Sequence, residues 1–224
     1  AGTYKGGSGD FTFNVTPNIT FLHNEVLALG ENIAPITGGE FLGTRATRTA
    51  VGDEVASFYG YQVIGIYQNQ AEIDSDGAMA DANAAPGDFR YADIDGDNEL
   101  TTDDQKVLGS YMPEYEYGIA MDFAYKNFDM NLIFNGVAGV EVWNFGKRKN
   151  LLDLNSNMTR EALNYWRPDN TDTDIPRIGG GANNTRPSSF QVENGDYFRL
   201  RNLQIGYSFS KDLLEKVNLR KIRL

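Results

Sequence analysis

The strongest signal along the chain is a two-residue alternation of apolar and polar side chains. From Asp10 to Phe21 the odd positions are Phe11, Phe13, Val15, Pro17, Ile19 and Phe21, with Thr12, Asn14, Thr16, Asn18 and Thr20 between them. Tyr115, Tyr117, Ile119, Met121, Phe123 and Tyr125 repeat the pattern, and Phe128, Met130, Leu132 and Phe134 follow opposite Asp129, Asn131 and Ile133. Near the end, Phe198 and Leu200 alternate with Arg199 and Arg201, after which Leu203, Ile205, Tyr207 and Phe209 alternate with Gln204, Gly206 and Ser208. Period two predicts strands with one apolar and one polar face. The phase slip between Leu200 and Leu203 predicts a β-bulge.

The connections form their own pattern. Gly6–Gly9 reads as a short turn, Leu29 to Ser110 as a connection of about eighty residues, and Lys126–Asn127 as a two-residue turn. Gly139 to about Asp196 is again long, and Ser210–Val217 again fairly short. In an outer-membrane barrel one rim carries tight turns and the other long extracellular loops, and strands of about 9–11 residues cross the bilayer. A soluble β-sandwich with decorated loops accounts for the same strands, and the pattern leaves both open. A short helix is expected over Ser156–Trp166, with capping candidates Ser156 and Thr159 and a stop at Pro168. Five or six such strands are too few to close a barrel of this type, and "KIRL" reads as the start of a further strand over Arg220 to Leu224. The chain therefore reads as part of something longer.

Charge changes the picture locally. The formal net charge is −11, and eleven acids against one base, Arg90, fall between Glu72 and Asp104. Such a field repels nucleic acid and attracts cations. Within it, "DIDGDNELTTDD" has carboxylates at its first, third and fifth positions (Asp93, Asp95, Asp97). Glu99 can offer its backbone carbonyl at the seventh, Thr101 a direct or water-mediated contact at the ninth, and Asp104 stands at the twelfth. A hard cation needs six to eight oxygens, and this EF-hand-like spacing turns alternate ones inward. Leu100 is the apolar residue that would anchor such a loop, and Asn98 stands where glycine is usual but tolerates the left-handed conformation. A structural Ca²⁺ is the favoured reading over a solvated acidic turn.

Catalysis finds little support. There are no cysteines, and His23 is the one histidine, placed after an apolar strand. Trp143, Trp166 and the tyrosines of "SFYGYQ" could stack on sugar rings or pack loops together. No apolar run approaches the about 20 residues of a spanning helix, which does not bear on barrel strands.

Four stretches together resemble one family. They are "ASFYGYQVIGIYQNQAEI" (56–73), "PGDFRYADIDGDNELTTDDQKVLGS" (86–110), "EYGIAMDFAYKNFDMNLIFNGVAGVEVWN" (116–144) and "RPSSFQVENGDYFRLRNLQIGYSFS" (186–210). In order and spacing they are similar to the SusC/RagA-type TonB-linked (TonB-dependent) outer-membrane proteins of Bacteroidetes, over almost the whole chain. The resemblance implies an all-β fold, with residues 1–224 forming one segment of a large transmembrane antiparallel β-barrel, late in its sequence. It implies long extracellular loops over 30–110 and 139–196, and import of glycans or oligopeptides with energy from TonB and a SusD-like surface lipoprotein as partner. The expected setting is the lipid of the bacterial outer membrane, and the expected role is not enzymatic. The acidic loop departs from the family pattern at Asp95 and Asn98. The alternative is a soluble, calcium-stabilised β-sandwich module for carbohydrate binding or adhesion.

Overall fold

A computed structural model describes residues 2–31, 33–41, 43–210, 214–215, 219–220 and 222–224. The chain divides into two compact units: residues 1–23, 112–140 and 195–224 form the first, and residues 24–111 and 141–194 the second.

The first unit is a five-stranded antiparallel sheet. Numbered in chain order, its strands are β1 (Tyr4–Ser8), β2 (Phe11–Phe21), β9 (Tyr115–Tyr125), β10 (Phe128–Ala138) and β13 (Tyr197–Tyr207), adjacent in that order. The register joins like faces. Val15 faces Met121, Met121 faces Leu132, and Leu132 faces Leu203, so one apolar row crosses four strands. Between Leu132/Leu203 and Phe134/Leu200 the pairing shifts by one residue, leaving Arg201 unmatched. This is the bulge the phase slip predicted. Without it, Phe198 and Leu200 would fall on the polar side.

Cross-strand pairs hold both faces. Phe198 stacks on Phe134 at 5.3 Å and on Tyr117 at 5.8 Å, and Phe128 meets Tyr207 at 4.7 Å. On the other face Asn202 donates to Asn131 Oδ1 and Asn131 to Asp122 Oδ1, each at 2.8 Å, a polar ladder over three strands. The apolar face stays open: Ile205 is 67% exposed and Phe21 69%.

The first turn is shorter than expected. Gly6 and Gly7 lie within β1, and only Gly9 and Asp10 make the turn, Gly9 at φ +59°. Phe13 explains this, because its ring lies over Gly6 where a Cβ would stand 2.7 Å from it, and an aromatic across from a strand glycine supplies the packing the glycine lacks. The Lys126–Asn127 turn is as expected. Much of Ser210–Val217 lies outside the described residues. After it, Leu224 exchanges both backbone hydrogen bonds with Tyr207, and Phe209 donates to Ile222, as expected for a strand starting there.

The second unit gathers both long connections. The first contains β3 (Ile36–Phe41), β4 (Thr44–Thr49), β5 (Ser57–Tyr61), β6 (Val63–Ile66), helix α1 (Gln70–Asp76), β7 (Phe89–Tyr91) and β8 (Gln105–Gly109). The second contains β11 (Glu141–Trp143) and β12 (Val192–Asn194), paired with each other. Their shared core is Tyr61, Phe89 and Tyr91 from one connection against Leu151, Leu152, Ala162 and Ile175 from the other. Trp143 packs on Phe58, and Trp166 donates to Gln68 Oε1 at 2.8 Å, so both tryptophans are buried in packing. The helix expected over Ser156–Trp166 is a single 3-10 turn, Arg160–Asn164. Upstream, the Asp153 carboxylate accepts from Asn155 N–H and Ser156 Oγ, a local side-chain turn that competes with helix.

A buried carboxylate ties the two connections. Asp88 is fully buried and receives both arms of Arg177 (2.7 and 2.9 Å), Asn184 Nδ2 (3.0 Å) and Ala85 N–H (2.9 Å). Asn184 also accepts from Phe89 N–H, and Asn183 donates to the Phe89 carbonyl. The pair is charge-assisted and bidentate on a fully buried carboxylate, with the Arg177 side chain partly exposed, and removing either partner leaves buried polar groups unmatched. Asp88→Ala is expected to lower the local stability of this unit by about 3 kcal/mol. Faster native-state hydrogen exchange at the Phe89 and Arg177 amides would show it, and unchanged exchange would contradict it.

Candidate metal centre

The acidic loop joins β7 to β8 within the second unit. It is built by side chains accepting from their own backbone. Asp93 takes Gly96 N–H at 2.6 Å and Asn98 N–H at 3.0 Å. Asp95 takes Asp97 N–H and Asp97 takes Glu99 N–H, at 3.2 and 2.7 Å. Successive turns of this kind bring alternate carboxylates to one side, and oxygens of Asp93, Asp95 and Asp97 lie within 4.8 Å of one another. Asn98 adopts φ +61°, the left-handed conformation its position requires.

The far end of the loop works differently. Asp104 is fully buried, and its two oxygens accept from Ile94 N–H (2.9 Å) and Thr101 N–H (2.8 Å). It closes the loop across its base and is not one of the three clustered carboxylates. Thr101 Oγ1 caps the short 3-10 turn Thr102–Asp104 by accepting from Asp103 N–H at 3.1 Å. Glu99 contributes its amide to Asp97. Leu100 packs against the core of the unit, and its N–H reaches the Ala78 carbonyl, so it anchors the loop as expected.

Electrostatics suit a cation. The Asp97 amide holds the Asp95 carboxyl down, but partial desolvation and the charges of Asp97, Asp104 and Asp93 outweigh it, so its pKa stands above the usual carboxylate value. A divalent ion relieves that repulsion and is the ligand that all-oxygen donors accept best. Elsewhere in the unit opposite charges are matched: Arg90 clamps Asp76 with two 2.6 Å hydrogen bonds, and Arg186 donates to Asp81 at 2.6 Å. The backbone N–H of Asn83, with Arg186, keeps the Asp81 carboxyl below its usual range.

Sequence spacing found the loop but not the Asp88–Arg177–Asn184 cluster, whose members are 89 and 96 positions apart in the chain. His23, just past β2, has a partner of its own.

TonB-dependent receptor P3 of Formosa agariphila is 35% identical over 224 residues, covering 96% of this chain and 21% of the relative. TonB-dependent receptor P26 of the same organism is 33% identical over 206 residues, 91% of this chain and 21% of the relative. TonB-dependent receptor SusC of Bacteroides thetaiotaomicron is 22% identical over 208 residues, 89% and 19%. The chain belongs to the SusC/RagA-type TonB-dependent receptors. It spans about a fifth of the length of these relatives. This receptor segment also shares its fold with solved structures described as the RagAB peptide transporter (TM-score 0.68, 20% identity, 94% of this chain and 22% of that one) and as the RagAB peptide importer in the closed-closed state (TM-score 0.69, 20% identity, 95% and 23%). No family profile matches the chain. The relatives are named as receptors, not enzymes.

Replacing Asp104 by Ala strands the Ile94 and Thr101 amides at a cost of about 1–3 kcal/mol. Limited proteolysis is expected to cut residues 93–104 faster in that variant, and cleavage at the native rate would count against the closing role.

Proposed function

We propose that this segment is a late part of the transmembrane barrel of an outer-membrane importer, taking up glycans or oligopeptides with TonB-supplied energy. A SusD-like surface lipoprotein is the partner in this reading, and the two long connections are extracellular, facing partner and substrate. The observation that carries it is the sheet of the first unit. Its apolar face is continuous and exposed, its tight turns lie at one end, and both long connections leave from the other. Aromatic residues mark both ends of that face: Phe11, Tyr125, Phe128 and Tyr207 beside the turns, and Phe21, Tyr115, Tyr117 and Phe198 opposite. Eleven-residue strands advance about 34 Å over ten steps, and at a tilt of about 40° this spans about 26 Å, close to the apolar band of such barrels. A soluble sandwich would bury that face, and the similarity to receptors does not favour it.

The full-length receptor is expected in the outer-membrane fraction, extracted by detergent as a particle far larger than 24.9 kDa that carries a lipoprotein. Met121→Arg, at the centre of the apolar row, would block its assembly at a cost of about 2–4 kcal/mol. Normal insertion of that variant, or a particle without a lipoprotein, would contradict the corresponding part of the reading.

The acidic loop is proposed to hold a structural Ca²⁺ through Asp93, Asp95 and Asp97, with the Glu99 carbonyl and Thr101 adding donors. In this reading Asp104, whose oxygens are taken by the Ile94 and Thr101 amides, braces the loop from its base and is not a ligand. The ion would rigidify the first connection and do no chemistry. Chelation, or the double change Asp93→Ala/Asp97→Ala, is expected to speed proteolysis of that connection without unfolding the sheet. Cleavage indifferent to chelator would remove calcium from the account.

A further inference from the structure

The polar face of the five-stranded sheet carries an uneven charge. Reading across the strands, one row is Asn14, Asp122, Asn131 and Gln204, the next Thr16, Ala120, Ile133 and Asn202, and the next Asn18, Gly118, Asn135 and Arg199. Asp122 lies in the first of these. Asp129, paired with Arg223, lies one row beyond it toward the tight turns, and Glu116 lies at the opposite end. The two middle rows hold no acid, yet the bulge adds Arg201 to them beside Arg199. Alternation from Leu200 puts Arg201 on the polar face, and Asn202 follows it there.

Neither arginine is neutralised among the described residues. Arg199 rests on the Tyr197 ring at 4.6 Å and donates to the neutral Asn135 Oδ1 at 3.4 Å. Arg201 is exposed and engages no described side chain. In the second unit, by contrast, Arg48, Arg90, Arg177 and Arg186 each meet a carboxylate. Two guanidinium groups amid Thr, Asn, Gly, Ala and Ile133, with Asp122 one row away on one side and Glu116 one row away on the other, make a local positive field between the acids, and the planar fork of arginine suits a carboxylate.

We infer that the bulge at Arg201 builds, with Arg199, a binding site for a carboxylate group of the transported substrate. The inference rests on the barrel reading, which turns this face to the lumen. The carboxylate could belong to an acidic sugar or to an acidic peptide.

The chain has no cysteine, so a thiol introduced by Ile133→Cys, directly across from Asn202, reports the local field in a full-length receptor freed of other cysteines. Anionic sulfonatoethyl and cationic trimethylammonioethyl methanethiosulfonate are compared on outer-membrane receptor. The anionic reagent is expected to react about 10-fold faster. Arg201→Gln should reduce that ratio several-fold, and Arg201→Lys should restore it. Trigalacturonate or triglutamate should slow the labelling while galactotriose and trialanine do not, and whichever acid protects better identifies the source. A ratio near one, a ratio indifferent to Arg201→Gln, a thiol reached by neither reagent, or equal protection by neutral and acidic probes would overturn the site. A receptor absent from the outer-membrane fraction would overturn the barrel reading with it, before any labelling.

Discussion

Cross-strand register is the constraint on which the first unit depends. A one-residue slip in any strand would exchange its apolar and polar sides, and with eleven-residue partners that error would run the length of the sheet. The aromatic and aliphatic pairs on one face and the Asp122–Asn131–Asn202 ladder on the other select the same alignment. The bulge at Arg201 belongs to that constraint, because it corrects the phase of β13 without breaking its pairing with β10. The correction leaves a cation on the polar side, and so links a packing requirement to a candidate recognition site.

The second unit obeys a different logic. Its strands are short, and its core is drawn from two connections far apart in sequence. Buried hydrogen-bonded charge supplies what regular alternation supplies in the sheet. Asp88 has no solvent to fall back on, so Arg177 and Asn184 from the other connection supply its partners. The acidic loop sits in this unit with Leu100 set against the core and Asp104 closing its base, so its three clustered carboxylates are carried on a fixed support.

Much of this was legible in the chain. Strands β2, β9 and β13, the Lys126–Asn127 turn, the bulge and the left-handed Asn98 all follow from local rules: period two, turn chemistry and ligand spacing act over a few residues. The glycine turn is tighter than Gly6–Gly9 suggests, because Gly6 and Gly7 read as turn residues until their pairing with Phe13 and Thr12, and the Phe13 ring over Gly6, draw them into β1. Residues 156–166 carry helix-forming composition, yet Asp153 and the Trp166–Ile175 backbone contact hold most of that stretch out of a helix.

The sequence by itself determined which residues share a face of the long strands and which carboxylates crowd into one loop, since both depend on spacings of two. Only the tertiary structure decided that the two long connections fold together, that Asp88 lies fully buried among their side chains, and that Asp104 closes the loop at its base. Those outcomes depend on burial and on partners tens of residues away. A carboxylate that will be dry and bidentate reads in the sequence the same as one that will be bathed in water.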